Sequence, residues 1–311
     1  MNQDTIINKA LEIKNQGKYS IVSALVTIFM MFFAGMRTVE GYEFFLHIAE
    51  FVFGKKAGKE LMEQCGENGL VISVGNDKIG EDTLICDVSC ALDCFCRLNG
   101  YCDIHSDCYA LALEKFRVGK LIKNVLSALR WLKTTFDEKI ESFEKLVKKG
   151  NGSIKYIRFN AYGDFFDVES LVTAYKIAEY FYINYGIRTY FYTHNKELEQ
   201  YYIDNYKNTK YPADFFVCNF SYPVRGQKQT IAVDIKDIWK YLDSDKYIIC
   251  IGECHYCPYC KMADLDKIIV FVKHGHGQNV EKMLRRELGE SYFEVLQNQK
   301  LWDYVEWRHN L

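Results

Sequence analysis

Clustered cysteines constrain this chain more than any other feature of its sequence. Ten of the twelve cysteines fall in two short windows, one from residue 86 to residue 108 and one from residue 250 to residue 260. Thiols crowded at spacings of two to six residues usually hold zinc, an iron–sulfur cluster, or each other as disulfides. We therefore expect these windows to bind a metal or to form disulfides.

Composition favours metal binding over disulfides. The chain has 311 residues and is 49% hydrophobic, so it can build a core without covalent cross-links. The first eighteen residues predict an amphipathic helix instead of a secretory leader, so we expect a cytoplasmic protein with reduced thiols. The net charge of -2 gives no indication of nucleic-acid binding, although a local basic patch is compatible with it.

The segment 19–36 is uncharged and mostly apolar over eighteen residues, at the lower limit of a membrane-spanning length. Ser20, Ser23 and Thr27 lower its hydrophobicity. We expect a buried helix, or one covered by a second copy of the chain in a homo-oligomer. Membrane association is the alternative.

The order of predicted elements indicates an α/β fold. Residues 1–66 predict an N-terminal helical cap, residues 67–290 a cysteine-rich domain, and residues 291–311 a helical tail. Helices are expected at 121–149, 168–185, 196–205 and 235–242, and another after Cys108 with Ser106 or Asp107 as its N-cap. Strands are predicted at 70–74, 154–160, 187–192, 214–218, 230–233, 247–251 and 267–272. Strands that alternate with helices predict an incomplete (β/α) barrel, or a doubly wound sheet, of about six parallel strands.

Polar residues and cysteines follow the ends of the predicted strands. In parallel α/β folds, ligands bind at the carboxyl ends of the strands, so these residues should converge on one rim. They are Gly163, Asp164, Thr193, His194, Asn195, Cys218, Asn219, the run from Cys250, His274 and His276.

The downstream window reads CIGECHYCPYC and places Cys250, Cys254, Cys257 and Cys260 within eleven residues. A structural zinc site usually draws its ligands from two separated knuckles, whereas a compact run with these spacings is more typical of iron–sulfur ligation. We expect a cluster here, with zinc as the alternative metal.

The upstream window holds more thiols than one cluster needs. Its cysteines are Cys86, Cys90, Cys94, Cys96, Cys102 and Cys108. Cys86, Cys94 and Cys96 are interpreted as ligands of a second metal or as extra thiols, and the close pair Cys94 and Cys96 indicates more than one site. The two isolated cysteines, Cys65 and Cys218, are interpreted as core thiols.

Two further positions are candidates for ligand contact. Gly163 would let a ligand approach the backbone, and Asp164 would bind an amine, hydroxyl or metal; the alternative is that Asp164 caps the next helix. His194 either contacts a ligand or caps a helix, and His274 begins a glycine-flanked loop that suits a ligand-facing position.

Several motifs, in this order, resemble the "gene product 88" family of phage and prophage proteins. They are GNDKIG at 75–80, CYA at 108–110, YGDFF at 162–166, YFYT at 190–193, the cysteine run at 250–260 and FVKHG at 271–275. The resemblance covers roughly residues 70–277.

That family is distantly similar to radical SAM enzymes, whose partial barrel binds a [4Fe-4S] cluster and S-adenosylmethionine. The resemblance implies an upstream cluster on Cys90, Cys102 and Cys108 and a second cluster on the downstream run. It also implies cofactor contacts at Gly163, Thr193 and His194, with Asp164 and His274 lining the pocket. The chain departs from the enzyme pattern, because the upstream window has no Cys-x3-Cys-x2-Cys and Asp164 stands where a glutamate is usual.

We therefore expect an iron–sulfur protein with one or two [4Fe-4S] clusters, acting as a redox or radical SAM-like enzyme with an electron donor. Its substrate is expected to be a small molecule or a macromolecule. The alternative is a non-enzymatic protein, braced by zinc or a cluster, that binds nucleic acid or a host protein.

Overall fold

A computed structural model describes residues 3–17, 21–32, 38–54, 69–75, 79–93, 108–206, 213–220, 229–255, 257–262, 265–274 and 278–301. Cys65, Cys94, Cys96, Cys102, Ser106, Asp107 and His276 lie outside these ranges.

The helices of the described ranges are numbered here in chain order. They are α1 (Gln3–Asn15), α2 (Ile21–Phe32), α3 (Val39–Phe53), α4 (Tyr109–Phe116), α5 (Val118–Lys133), α6 (Phe136–Lys149), α7 (Val168–Tyr185), α8 (Lys196–Tyr206), α9 (Val280–Leu288) and α10 (Ser291–Asn298). Short 3-10 helices occur at Ala91–Asp93, Ala213–Phe215, Ile235–Tyr241 and Tyr259–Lys261.

The described strands form two sheets. They are β1 (Ile72–Val74), β2 (Thr83–Cys86), β3 (Tyr156–Phe159), β4 (Arg188–Thr193), β5 (Phe216–Phe220), β6 (Thr230–Val233), β7 (Tyr247–Ile249) and β8 (Ile268–Val272). One sheet has the order β1-β2-β3-β4-β5, and the other has the order β6-β8-β7. β4 runs parallel to β5, with Tyr192 opposite Asn219, and β8 runs parallel to both β6 and β7.

The α/β class is confirmed. Within the described ranges, the strands form two sheets, one of five strands and one of three, instead of the single sheet or barrel of about six strands that the sequence predicted. A barrel of successive β/α units would pair each strand with the next in the chain, but β8 lies between β6 and β7. The reason is composition, because β8 reads IIVFV and its residues Ile269, Val270 and Val272 are buried. Such a strand is most stable with a partner on each side. The described strands do not show a closed barrel.

The chain divides into two compact units. Unit 1 comprises Met1–Ser73, Leu84–Ser153 and Arg158–Ile177, and unit 2 comprises Val74–Thr83, Ile154–Ile157 and Ala178–Leu311. The three segments expected from the sequence, with boundaries near residues 66 and 290, stay a prediction.

Unit 1 buries the apolar segment that the sequence marked as ambiguous. In α2, Leu25, Ile28 and Phe29 are fully buried. Phe29 meets Phe45 of α3 edge to face, with ring centroids 5.0 Å apart. Among the described helices, none combines the length and the apolar character needed to span a bilayer. The expected burial is therefore confirmed for the described part of this segment.

In unit 2, each sheet buries an aromatic or aliphatic face. Phe191 of β4 lies 5.0 Å from Phe216 of β5 and 5.8 Å from Tyr202 of α8, measured between ring centroids. Val270 of β8 packs in a second cluster with Leu284 of α9 and Tyr292 of α10. The second of these cores holds β7, the strand that directly precedes Cys250.

Replacing Phe29 by alanine should destabilise unit 1 by about 3–5 kcal/mol, because a fully buried ring leaves a cavity. Phe51→Ala is the matched control on α3, since that ring is 62% exposed and its loss should cost under about 1 kcal/mol. Urea unfolding followed by circular dichroism measures both. Equal losses in the two variants would mean that α2 does not pack as described.

Candidate functional site

The downstream cysteine loop begins at the end of β7. The backbone N–H of Cys250 donates to Val270 O at 2.8 Å, so this residue still pairs with β8. Gln299 fixes the strand end from the other side, because its side chain accepts from Ile249 N at 2.7 Å and donates to Ile249 O at 3.0 Å. The first thiol is thus attached to a rigid strand.

The far end of the loop is held by an amide and a phenol. The Asn219 side-chain amide donates to Cys260 O at 3.1 Å and to Phe191 O at 2.9 Å. The Tyr259 hydroxyl donates to Gln299 O. Both ends of the cysteine run are therefore anchored by buried or half-buried side chains of unit 2.

A glycine turn supports the middle of the loop. Gly80 has a φ of +100°, and a Cβ at this position would lie 2.7 Å from His255 Nδ1. Only glycine fits both the backbone conformation and the close approach of His255. The GNDKIG motif thus ends in a residue that packs against the cysteine loop.

The four downstream thiols lie within electrostatic range of one another. Burial raises the pKa of Cys250 well above its usual value, and Cys254, Cys260 and Cys257 raise it further. Burial, with Cys260 and Cys254, raises the pKa of Cys257 to about 12. In the described ranges, however, no three histidine, cysteine, aspartate or glutamate side chains are placed to hold a metal ion.

A buried cation accompanies these thiols. Lys261 is buried, and its Nζ lies 3.9 Å from the ring centroid of Tyr156. Burial lowers the pKa of Lys261, whereas Asp82 and then the thiols at Cys254, Cys257 and Cys260 raise it. The ammonium is thus in range to offset negative charge on the loop.

The remaining predicted residues of unit 2 have varied surroundings. Buried Thr193 accepts from Asn195 N at 3.1 Å, and Asn195 in turn accepts from Glu197 N at 2.9 Å in the first turn of α8. His194 and His274 are half-buried at the carboxyl ends of β4 and β8. Asn219, which anchors the cysteine loop, lies opposite Tyr192 near the end of β4.

Cys218 is a core thiol, as interpreted from the sequence. It is 3% exposed. It lies beside Tyr202 of α8, whose pKa is raised by burial and by this thiol. The Tyr202 hydroxyl donates to Phe216 O at 2.6 Å, which fixes α8 against β5.

The upstream window belongs to unit 1, and three of its cysteines are described. Cys86 and Cys90 are buried, and burial, followed by the charge of Asp87, raises the pKa of Cys86 far above its usual value. Cys108 is the N-cap of α4, and its sulfur accepts from Leu111 N at 3.5 Å. The expectation that Ser106 or Asp107 caps this helix was wrong, because sulfur takes the acceptor role.

Gly163 and Asp164 contact Ser89, which lies between Cys86 and Cys90. Gly163 has a φ of +67°, and a Cβ there would lie 2.4 Å from Ser89 O. The Ser89 hydroxyl donates to Asp164 O at 2.6 Å and accepts from Asp164 N at 3.1 Å. The helix-cap interpretation of Asp164 was wrong, since Asp167 accepts from Ser170 N at 2.8 Å at the start of α7.

Sequence reasoning missed a buried carboxyl group in unit 1. Glu114 of α4 is fully buried, and it accepts from Ala91 N and Leu92 N at 2.8 Å each and from the Asn124 amide at 2.6 Å. Burial raises the pKa of Glu114 to about 7, although the three hydrogen bonds that its carboxylate accepts lower the pKa. The signal was an acid on the apolar face of the helix YALALEKF.

A lysine and a second acid lie in the same region of unit 1. The Lys120 ammonium is 3.4 Å from the ring centroid of Tyr162, and burial lowers its pKa to about 8. Asp87 accepts from Tyr162 N at 3.0 Å. Glu114 and Lys120 thus have pKa values in the neutral range, as proton-transfer groups require.

Comparisons of the chain with protein-family models, with curated proteins and with solved structures gave no match.

Glu114 should make stability depend on pH. Its pKa is raised from 4.5 to about 7, so the folded state keeps a proton that the unfolded chain releases, and stability falls as pH rises through this window. We compare the unfolding free energy of the native chain with that of Glu114→Gln. The difference, native minus variant, should fall by on the order of 3 kcal/mol between pH 4.5 and about pH 7. Urea unfolding at a series of pH values measures the difference. Glu141→Gln, at an exposed site on α6, is the control and should show no such trend.

Proposed function

We propose that this chain is an iron–sulfur protein whose cluster is held by Cys250, Cys254, Cys257 and Cys260. The observation that carries the proposal is the gathering of these thiols in one anchored loop, where three of them raise the pKa of the fourth. Cys250 and Cys257, whose pKa values are raised by burial and by neighbouring thiols, would be stabilised as thiolates on a shared metal, because the metal's positive charge replaces their protons.

The chemistry of the donor set supports iron–sulfur ligation. Four soft sulfur ligands select iron–sulfur clusters or zinc over harder cations. The compact spacing of the run favours the cluster, and zinc is the alternative. Because no three of the described side chains are placed to hold a metal, loading requires the loop to contract between its fixed ends at Cys250 and Cys260.

Residues around the loop would tune such a centre. Lys261 would offset the negative charge of the thiolates, and hydrogen bonds and charges next to a metal site set its affinity and potential. Asn219 would hold the Cys260 backbone in place during loading and redox change. A cluster bound here would supply one-electron transfer, and the chain would need an electron donor as partner.

The enzymatic form of the proposal rests on the family resemblance. It adds an upstream cluster on Cys90, Cys102 and Cys108, S-adenosylmethionine at an open iron, and an incomplete barrel as scaffold. Asp164 and His274 would then contact substrate, and Gly163, Thr193 and His194 would contact the cofactor. Phage origin rests on the same resemblance. A metal-braced binding protein without catalysis is the competing proposal.

Metal analysis of the chain purified without oxygen tests the downstream centre. We expect about four iron and four sulfide per downstream cluster, and about eight iron if the upstream cluster is also present. Cys257→Ser should lose the iron of the downstream cluster, because it removes one of four ligands. Cys218→Ser is the matched control and should keep it, since that thiol lies in the core beside Tyr202.

Stoichiometric zinc without iron would contradict the cluster and support the zinc alternative. Iron that persists in Cys257→Ser would place the metal elsewhere. If the chain binds about eight iron, the reductive cleavage of S-adenosylmethionine with dithionite tests the enzymatic form. Intact S-adenosylmethionine after incubation with a fully loaded chain would contradict it.

Metal affinity should rise with pH. Because the pKa of Cys257 is raised to about 12, its thiol is protonated at neutral pH and must release a proton when it binds metal. We expect the association constant for Co²⁺ to rise by about tenfold per pH unit for each proton released, between about pH 6 and pH 8. The sulfur-to-cobalt absorption band measures binding. An affinity independent of pH would show that thiols are not the ligands.

A further inference from the structure

Unit 2 contains an open cleft away from the cysteine loop's own thiols. Its volume is about 580 Å³, and it is lined by Lys155, Tyr156, Tyr182, Ile183, Gly186 and Arg188. Lys155 and Tyr156 stand at the start of β3, Arg188 starts β4, and the others lie at the end of α7 or just after it. The volume suits a ligand of small-molecule size.

The charged groups of the cleft are cations. Arg188 is held by Asp214, with Nη1 3.0 Å from Oδ2, which orients the guanidinium and leaves further N–H donors for a ligand. Lys155 is exposed, and its ammonium makes no ion pair within the described part of the chain. An anionic group would therefore meet one oriented guanidinium and one exposed ammonium.

The other side chains that line the cleft are two tyrosine rings and one isoleucine. The Tyr156 ring is backed by Lys261 at 3.9 Å and by Tyr190, whose centroid is 6.4 Å away. Tyr182 packs against Phe215, with ring centroids 5.5 Å apart. Ile183 is 60% exposed at the edge of the cleft. Held rings beside an exposed aliphatic side chain are suited to an aromatic base.

We propose that this cleft binds a nucleoside phosphate. The base would lie against the tyrosine rings and Ile183, and the phosphate oxygens would accept from Arg188 and Lys155. Inorganic phosphate would leave the apolar lining uncovered. A nucleic-acid strand would need a longer track of cations than two side chains, and the net charge of -2 does not supply one. This proposal does not depend on the metal centre.

Isothermal titration of the full chain with ADP tests the proposal. We expect a Kd of about 10–100 µM, with adenosine and pyrophosphate each at least about tenfold weaker. Arg188→Gln and Lys155→Gln should each weaken ADP binding by about tenfold, since each removes a charge-assisted hydrogen bond. Ile183→Glu should weaken it as well, through the lost apolar contact and the added like charge. Lys236→Gln, at an exposed lysine elsewhere in unit 2, is the charge-matched control and should bind as the native chain does.

All four substitutions are at exposed positions, and circular dichroism checks that each variant is folded. No heat with ADP at about 1 mM would overturn the proposal, as would ADP binding that both cation variants leave unchanged. If pyrophosphate bound as tightly as ADP, the base would contribute nothing to affinity. The cleft would then be an anion site, and the nucleoside assignment would be overturned. A single-stranded oligonucleotide that binds while ADP does not would overturn it in favour of a polymer.

Discussion

The buried amide of Asn219 holds the downstream cysteine loop to its sheet. It gives both amide hydrogens to main-chain carbonyls, one on β4 and one on Cys260. Its own Oδ1 is buried and has no hydrogen-bond partner among the described residues, a cost of roughly 1–3 kcal/mol. The fold tolerates this cost at the point where the last thiol of the run is fixed. Together with the Tyr259 hydroxyl, which donates to Gln299 O, this side chain fixes the position of Cys260.

The two cysteine windows differ in how their thiols are surrounded. In the downstream loop the neighbours of Cys250 are three other thiols, and after burial they raise its pKa further. In unit 1 the described thiols have separate surroundings, with Cys86 among Asp87 and lysines and Cys108 at a helix end. The difference favours the downstream loop as the place where a shared ligand would be bound.

Local sequence patterns predicted much of the fold and part of the site. The helix predicted at 168–185 has the bounds of α7, and the cysteine run follows a strand as expected. β2 was missed, since four consecutive buried residues show no alternation. The position of β8 between β6 and β7 depends on contacts distant in sequence. Glu114 was missed because no short sequence motif indicates that an acid is buried. The cleft near Arg188 was missed because it lies at the amino ends of strands, whereas ligand sites were expected at the carboxyl ends.

The central position of β8 has a consequence for synthesis of the chain on the ribosome. The cysteine run leaves the ribosome before β8, and β7 has no partner in its sheet until residues 268–272 follow. Gln299, which clamps the end of β7 and accepts from Tyr259, arrives later still. Domains form as cooperative units while the chain emerges from its N-terminus. The downstream thiols therefore leave the ribosome before the residues that anchor their loop, and their assembled arrangement is a late event in the folding of the protein.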